Sequence, residues 1–385
     1  MMKWRFHVIL LLLLTLLSAE AEDYYWVGAT GNWSVLGNWR TADNQIPNEV
    51  PDANDNVIFN ENSFSIGKDT VYVYTGNPTC KNMTWENIDD TVFLWGGANT
   101  VSFDIYGSVT LHPKLRNKYS GKITFLSNAQ GNTISCNGSN FFGDLSFEGS
   151  GEWILQDTLI VLDTSDWRYA FFESGMGYGN SFIVRHLNGR LDVNEQAIIC
   201  GSFVGGSNNP CELDLENGQA WLLASWTLNG ENLTFHSAGS YIYARFSLSN
   251  LYGDEITYHD IDLDDPSASV SNTGVHTIHR KIHFLKGGTM SGYDGPGSQG
   301  NFTIDTLLFS GSFKNGDNPP FGDIRGNGHE IHYTAIDTLV ARINTNNSFF
   351  HRIDIRGKHK ENLFEGIPDV IQGTDNTFDT LMIPN

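Results

Sequence analysis

The sequence predicts an all-β protein made of stacked, repeated coils. Short strands with alternating apolar residues start about every 8–13 residues along much of the chain. A motif made of two such strands returns further along the chain, and we find no convincing amphipathic helix. The strand spacing alone fits a sandwich or a barrel equally well, but the repetition favours stacked coils.

The repeated motif is clearest in residues 122–148. A shift of 110 residues places Ile123 on Leu233, and a shift of 208 residues places it on Ile331. Such repeats are typical of solenoids, because each coil buries its apolar face only against its neighbours, with about 20–25 residues per coil. We therefore expect these apolar side chains of the motif to build the core: Ile123, Phe125, Phe142, Leu145 and Phe147.

The N-terminus predicts an exported protein. Lys3 and Arg5 give it a basic start, an apolar run follows over residues 8–17, and an Ala-x-Ala cleavage signal ends at Ala21. The run is too short to cross a bilayer, and no later stretch approaches the roughly 20 apolar residues that a membrane helix needs. We therefore expect a signal peptide over residues 1–21, a secreted or cell-surface location and no membrane insertion.

The formal net charge of −21 at pH 7 restricts the classes of partner. Nucleic acids and anionic membrane surfaces are bound through Lys and Arg, so a strongly acidic chain disfavours both. The charge also disfavours acidic polysaccharides unless a cation bridges the two. The plainer interpretation is that the charge keeps an exported protein soluble.

The chain opens with an aromatic, turn-rich stretch. Trp26, Trp33 and Trp39 are spaced seven and six residues apart, and a P-x-x-x-D-x-V-x-F strand follows at residues 51–59. This W-x-G-x-x-G-N-W-S-x-x-x-N-W opening resembles that of exported bacterial β-helix surface proteins of the adhesin-like or gliding-associated kind. The resemblance is good over about residues 24–160 and returns in fragments near the end.

The resemblance implies a right-handed parallel β-helix with an N-terminal aromatic cap. It divides the chain into a capping segment, residues 22–66, and a solenoid, residues 67–385. Members of this group often carry a further C-terminal sorting domain. We therefore expect either a truncated solenoid or a last coil whose edge something else covers. No catalytic motif defines the group, so the resemblance implies architecture and location more than activity.

Two interpretations are open for Trp26, Trp33 and Trp39. They either cap the first coil and shield its strand edges, or present a platform on which sugar rings stack. We favour the cap, because a solenoid must cover the edges at its ends to avoid end-to-end association.

The four cysteines predict at most two disulfides in an oxidising compartment. Cys200 and Cys211 flank a loop rich in Gly, Asn and Pro, and they are the expected pair. Cys80 and Cys136 each lie beside a strand, where a buried free thiol and a bond are equally compatible with the sequence.

The densest group of carboxylates is Asp260, Asp262 and Asp264. Their alternation places all three on one face of a strand, with Ile261 and Leu263 on the other. Such a face could bind Ca²⁺, the one cofactor that the sequence suggests, or supply an acid and a base for glycoside hydrolysis. A solvated outer face is the plainer interpretation.

These observations predict a secreted, cell-surface β-solenoid with a structural, adhesive or glycan-contacting role and no catalysis. Its expected partner is an extracellular glycan or another cell-surface component. The alternative is a polysaccharide lyase or a glycoside hydrolase, because parallel β-helices often host such sites on one sheet face. That alternative needs two carboxylates at hydrolase separation, or a Ca²⁺ cluster beside Arg or Lys, within one groove.

Overall fold

The computed structural model describes residues 21–65, 67, 69–96, 102–163, 182–253, 256–265, 268–272, 275–284 and 287–292, and strand segments beyond residue 300. Side chains are described up to residue 248, over residues 256–265 and 268–270, and at Ile282. The predicted signal peptide lies outside the described residues apart from Ala21.

The described chain forms 38 strands and a short 3-10 helix, Leu36–Asn38. The first nineteen strands are β1 (Asp23–Trp26), β2 (Gly31–Asn32), β3 (Trp39–Arg40), β4 (Asn56–Phe59), β5 (Thr70–Val73), β6 (Thr79–Cys80), β7 (Met83–Trp85), β8 (Val92–Gly96), β9 (Ser102–Ile105), β10 (Val109–Thr110), β11 (Leu115–Tyr119), β12 (Lys122–Phe125), β13 (Asn132–Ser135), β14 (Leu145–Phe147), β15 (Glu152–Leu155), β16 (Leu159–Val161), β17 (Ile183–His186), β18 (Gly189–Asp192) and β19 (Ala197–Cys200).

The remaining strands are β20 (Ser202–Gly205), β21 (Cys211–Asp214), β22 (Gln219–Leu222), β23 (Ser225–Gly230), β24 (Leu233–His236), β25 (Tyr241–Ala244), β26 (Ser247–Gly253), β27 (Ile256–Leu263), β28 (Ser269–Asn272), β29 (Val275–Phe284), β30 (Gly287–Gly292), β31 (Asn301–Phe309), β32 (Ser312–Phe313), β33 (Ile324–Arg325), β34 (Asn327–Tyr333), β35 (Ile343–Asn344), β36 (Phe349–Ile355), β37 (Ile371–Gln372) and β38 (Thr377–Met382). Within the described ranges, no helix has the length and apolarity needed to cross a bilayer.

The strands stack in parallel as a β-solenoid with long sheets for faces. Sheet A runs β3-β1-β4-β7-β10-β13-β15-β18-β21-β24, and sheet C runs from β6 through β9, β12 and β14 to β32. Between them in chain order lies sheet B, β2-β5-β8-β11. From β16 onward sheet D takes this place, and it runs β16-β19-β22-β25-β27-β29-β31-β34-β36-β38, with β33 paired to β31. The all-β and parallel-solenoid predictions are confirmed; the handedness of the coil stays a prediction.

The length of a coil follows from the register of the strands. Val57 pairs with Met83 and Met83 with Val109, so early coils take 26 residues. Leu191 pairs with Leu213 and Leu213 with Phe235, so later coils take 22 residues. The expected coil length is therefore close to the observed one.

The core is a continuous column inside the coils. Alternate residues of each strand point inward, as the burial of Val57 and Phe59 on β4 illustrates. Aromatic rings stack on one another from coil to coil, with 3.8 Å between the ring centroids of Phe59 and Trp85 and 4.7 Å between those of Phe125 and Phe147. Stacking of this kind adds to the burial of apolar surface and fixes the register between coils.

The predicted core positions are correct except for one. Ile123, Phe125, Leu145 and Phe147 are buried, whereas Phe142 is only half-buried. Phe141 takes the inward position instead, because an isolated parallel bridge to Val161 sets which of the two neighbouring rings faces the core.

The long matches between segments do not mark equivalent positions of the coil. Ile123 lies in sheet C, whereas Leu233 lies in sheet A and Ile331 in sheet D. The segments match because strands on every face share the same alternation, and the true period is the single coil.

The N-terminal end of the column is covered by the aromatic cap. β1 pairs antiparallel with β3 and parallel with β4, so the first strands of the chain cover one edge of sheet A. The stacked strands begin inside the predicted capping segment, since β4 already pairs in parallel with β7.

Candidate functional site

The outward side of sheet B carries four aromatic side chains, Tyr72, Tyr74, Phe93 and Trp95, with Thr70 beside them; we call these five residues the aromatic face. The sequences of β5 and β8 alternate, so that small apolar residues point inward and these residues point outward. Phe93 pairs with Thr70 and Trp95 with Tyr72 across the two strands, which lie about 4.8 Å apart.

The aromatic face is open to solvent. Tyr74 is 52% exposed and Trp95 is 47% exposed, and every other aromatic side chain in the described part of the chain is buried or half-buried. The rings of Tyr72 and Tyr74 stack with their centroids 5.1 Å apart. The five residues line a shallow groove of about 440 Å³.

The sheet beneath the aromatic face is rigidly packed. Val71, Val73 and Leu94 are buried in the core directly below it. Gly96, which follows Trp95, has a φ of 129°, and a Cβ there would lie 2.2 Å from the carbonyl oxygen of Val73. Only glycine allows this close approach, so the position of Trp95 is fixed by the backbone.

The next coil continues the aromatic face with two cations. Arg116 pairs with Phe93 and Lys118 with Trp95, both on β11. The Nζ of Lys118 donates to the carbonyl oxygen of Asp163 at 2.9 Å and lies 4.9 Å from the ring centroid of Phe142. We call Arg116 and Lys118 the cationic pair.

The tryptophans of the opening motif lie in the core. Trp26 and Trp39 are 0% exposed and Trp33 is 3% exposed. Trp39 packs edge-on against the other two rings at centroid distances of 5.0 and 4.8 Å, and its indole nitrogen donates to the carbonyl oxygen of Trp33. This placement agrees with the cap, and protein atoms cover the ring faces that the sugar-stacking interpretation requires.

Asp260, Asp262 and Asp264 lie on the outward side of β27 and just beyond it, as predicted, while Ile261 and Leu263 are buried. Among the residues that the structure describes, no group of three or more His, Cys, Asp or Glu side chains is placed to hold a metal ion. Calcium binding therefore stays a prediction.

Two of these carboxylates accept hydrogen bonds from the neighbouring coil. The hydroxyl of Tyr241 donates to Asp262 at 2.8 Å, and the hydroxyl of Tyr243 donates to Asp264. Burial and the charge of Asp262 raise the pKa of Tyr241, so its phenol stays protonated and donates. These bonds tie adjacent coils together.

The predicted disulfide between Cys200 and Cys211 is not formed. Both are buried free thiols, on sheet D and sheet A respectively. The sulfur of Cys200 contacts the carbonyl oxygen of Ser202 and that of Cys211 the carbonyl oxygen of Asn209. The loop between them runs through β20 on sheet C, so closeness in sequence does not bring the two sulfurs together. Cys80 and Cys136 are also buried free thiols.

An ion cluster on the outward side of sheet A was not predicted. Arg190 lies 2.7 Å from Glu152, 3.1 Å from Asp192 and 2.8 Å from Asp214. Its Nε is 3.1 Å from Glu212, although this N–H is not aligned for a hydrogen bond. One guanidinium thus joins carboxylates from three successive coils.

The aromatic face was also missed by the sequence analysis, although a signal for it was present. The sequences of β5 and β8 alternate, and this alternation places Tyr72, Tyr74, Phe93 and Trp95 on the side opposite the valines and Leu94. The sequence does not show that these two strands are neighbours on the same sheet, since this depends on coil length.

No protein-family model, no curated protein and no solved structure matches this chain.

Proposed function

We propose that this chain is an exported β-solenoid that contacts an extracellular glycan through the aromatic face and has no catalytic role. One observation carries the proposal: Tyr72, Tyr74, Phe93 and Trp95 stand side by side on one packed sheet, with Tyr74 and Trp95 about half exposed. A contiguous group of exposed aromatic side chains on a soluble protein marks a binding surface.

The chemistry of the face favours a sugar ring as the ligand. The face of an aromatic ring carries partial negative charge. The C–H groups on one side of a pyranose carry partial positive charge, so they are attracted to the ring face. The hydroxyls of Thr70, Tyr72 and Tyr74 are available at the same surface for the equatorial hydroxyls of the sugar. A protein partner would need about 1,000 Å² of contact or more, which five side chains do not provide.

Export is the second part of the proposal, and it rests on the sequence alone. The basic start, the apolar run over residues 8–17 and the Ala-x-Ala signal ending at Ala21 support a cleaved signal peptide. An extracellular location would bring the aromatic face into contact with polysaccharides.

Binding to a panel of neutral and acidic plant and microbial polysaccharides tests the proposal. We expect the full chain to be retarded in native gels that contain its polysaccharide, and Trp95→Ala and Tyr72→Ala to lose about tenfold in affinity through the lost ring contacts. Tyr25→Ala is the matched control, since Tyr25 is a half-buried tyrosine on sheet A, away from the face.

Two outcomes would overturn the glycan proposal. One is that no polysaccharide of the panel is bound. The other is that the Trp95 and Tyr72 variants bind as well as the wild type while their circular dichroism and melting temperatures are unchanged. The second outcome would move the glycan site elsewhere on the chain.

Polysaccharide cleavage is the alternative function, and the cluster around Arg190 is the observation that favours it. Four carboxylates and a cation share one outward face, which is the composition that a lyase or a hydrolase needs. Reducing-sugar release from the same panel, lost in Asp192→Asn or in Asp262→Ala, would establish an enzyme in place of a binding module.

A further inference from the structure

The cationic pair stands out against the charge of the whole chain. The protein carries a formal charge of −21, yet Arg116 and Lys118 lie together next to the aromatic face. In the described part of the chain, no carboxylate lies within ion-pair distance of either side chain, whereas Lys122, Arg185 and Arg190 each have such a partner. The charge of the cationic pair is therefore available to a ligand.

The two cations are positioned by the same register that builds the aromatic face. Lys118 follows Trp95 and Tyr72 in one row, and Arg116 follows Phe93 and Thr70 in the next. Each step along a row is about 4.8 Å, so a sugar ring stacked on Trp95 places its substituents within reach of the cationic pair.

Hydrogen bonds and a ring contact hold the side chains of Arg116 and Lys118 beside the aromatic face. The guanidinium of Arg116 donates to the carbonyl oxygen of Pro113 at 3.1 Å, and Lys118 is fixed by the carbonyl of Asp163 and the ring of Phe142. These three partner groups carry no formal charge, so within the described residues no countercharge neutralises the cationic pair. A partly ordered Arg or Lys loses less side-chain entropy when it binds an anion.

We propose that the aromatic face binds a polysaccharide that contains uronate residues, with a sugar ring on Trp95 and Tyr72 and a carboxylate on Arg116 and Lys118. This inference rests on the proposed function and names its ligand class. Arg116 offers a planar fork of donors that matches a carboxylate, and Lys118 adds a second charge.

The overall charge favours a carboxylate polymer over a densely sulfated one. The chain as a whole is strongly acidic, and the exposed Asp89 and Asp90 lie just before β8. A polymer with several anionic groups on each sugar would be repelled by the acidic chain. A single carboxylate on a sugar can instead be neutralised by the two cations, Arg116 and Lys118.

Two matched pairs of polysaccharides test this inference. The first pair is a neutral glucan and the glucuronan made by oxidising its primary hydroxyls. The second pair is a neutral xylan and a glucuronoxylan. We expect the wild-type chain to bind the uronate member about tenfold more tightly in each pair, and to lose this preference as salt rises. We expect Arg116→Gln and Lys118→Met to remove the preference, while Lys81→Gln, which removes the same charge from a distant turn, keeps it.

The outcomes separate this inference from the glycan proposal. If neutral and uronate polymers bind equally and Trp95→Ala weakens both, the uronate inference is wrong and the glycan proposal stands. If sulfated glucan binds more tightly than glucuronan, the carboxylate assignment is wrong. If no polymer of either pair binds, the uronate inference is wrong, and the glycan proposal then depends on the rest of the polysaccharide panel.

Discussion

His186 is a buried side chain that contributes to the response of the protein to acid. It is 0% exposed, its Nε2 lies 3.0 Å from the carbonyl oxygen of Gly189, and its ring packs edge-on against Phe147. Burial lowers the pKa of His186 from 6.5 to about 4, so the imidazole is neutral in the folded chain at pH 7. In the unfolded chain the same imidazole is exposed and protonates near its ordinary pKa.

We expect the free energy of unfolding to decrease as the pH falls from 6.5 to 4. In this window the unfolded chain binds a proton at His186 and the folded chain does not, which favours unfolding by up to about 3 kcal/mol. Above pH 6.5 His186 makes no contribution to the pH dependence. Urea unfolding of the wild type and of His186→Leu at several pH values measures the effect.

The control for His186 is His236, a histidine on the outward side of sheet A. We expect His186→Leu to flatten the pH dependence between 6.5 and 4, and His236→Gln to leave it near that of the wild type. An equal slope in the wild type and in His186→Leu would contradict the assignment of this acid response to His186.

At the scale of the element, the outward side chains decide how strongly neighbouring coils hold together. The ion cluster of Arg190 joins β15, β18 and β21, so that one side chain on β18 contacts carboxylates of the coils above and below it. Without the guanidinium, four carboxylates would face one another on adjacent strands, where like charges destabilise a sheet.

We expect Arg190→Met to lower the free energy of unfolding by about 1–2 kcal/mol, because the cluster is partly screened by solvent. Lys122→Met is the matched control, since it removes one cation from a more exposed pair with Glu148 on sheet C. We expect this control to cost no more than about 0.5 kcal/mol.

Urea unfolding of the two variants checks the cluster, and added salt provides a second readout. Salt screens the repulsion among the remaining carboxylates, so the difference between Arg190→Met and the wild type should shrink as the salt concentration rises. Equal losses in the two variants would mean that the cluster of Arg190 holds the coils no more strongly than a single surface ion pair.

The elements also show which features the sequence could predict. The alternation of apolar and polar residues identified the strands and most of the inward residues. Burial on one face of a strand produces this pattern within a few neighbouring residues. The alternation of residues does not reveal the aromatic face, the cluster of Arg190 or the true period of the repeat. All three depend on which strands are stacked. Phe141 and Phe142 illustrate the limit: the two rings are neighbours, and only the bridge to Val161 decides which one is buried.

At the scale of the whole molecule, the aromatic cap closes the N-terminal end of the column of stacked coils. A stack of parallel strands ends in unpaired backbone groups and in an exposed slice of core. Here β1 and β3 pair at the end of sheet A, and the rings of Trp26, Trp33 and Trp39 cover Phe59 at centroid distances of 6.0 or 6.1 Å. The cap was the favoured interpretation of the three tryptophans because a solenoid must cover the strand edges at its ends.

We expect removal of the cap to make the protein associate end to end. A chain that begins at Thr41 leaves β4 and β5 as unpaired edges and exposes Phe59 and the core behind it. Exposed parallel edges pair with edges of other copies, so the apparent mass in light scattering should rise with protein concentration, and the melting temperature should fall.

A variant with changes confined to the outer surface of the cap separates edge exposure from a general disturbance of the cap. Val35 and Leu36 are 49% and 39% exposed, so Val35→Ser with Leu36→Ser should keep the mass and melting temperature of the wild type. If the chain that begins at Thr41 keeps the wild-type mass at every concentration while its circular dichroism remains that of folded β structure, the tryptophans do not protect the end of the column. Their burial would then serve the packing of the first coil alone.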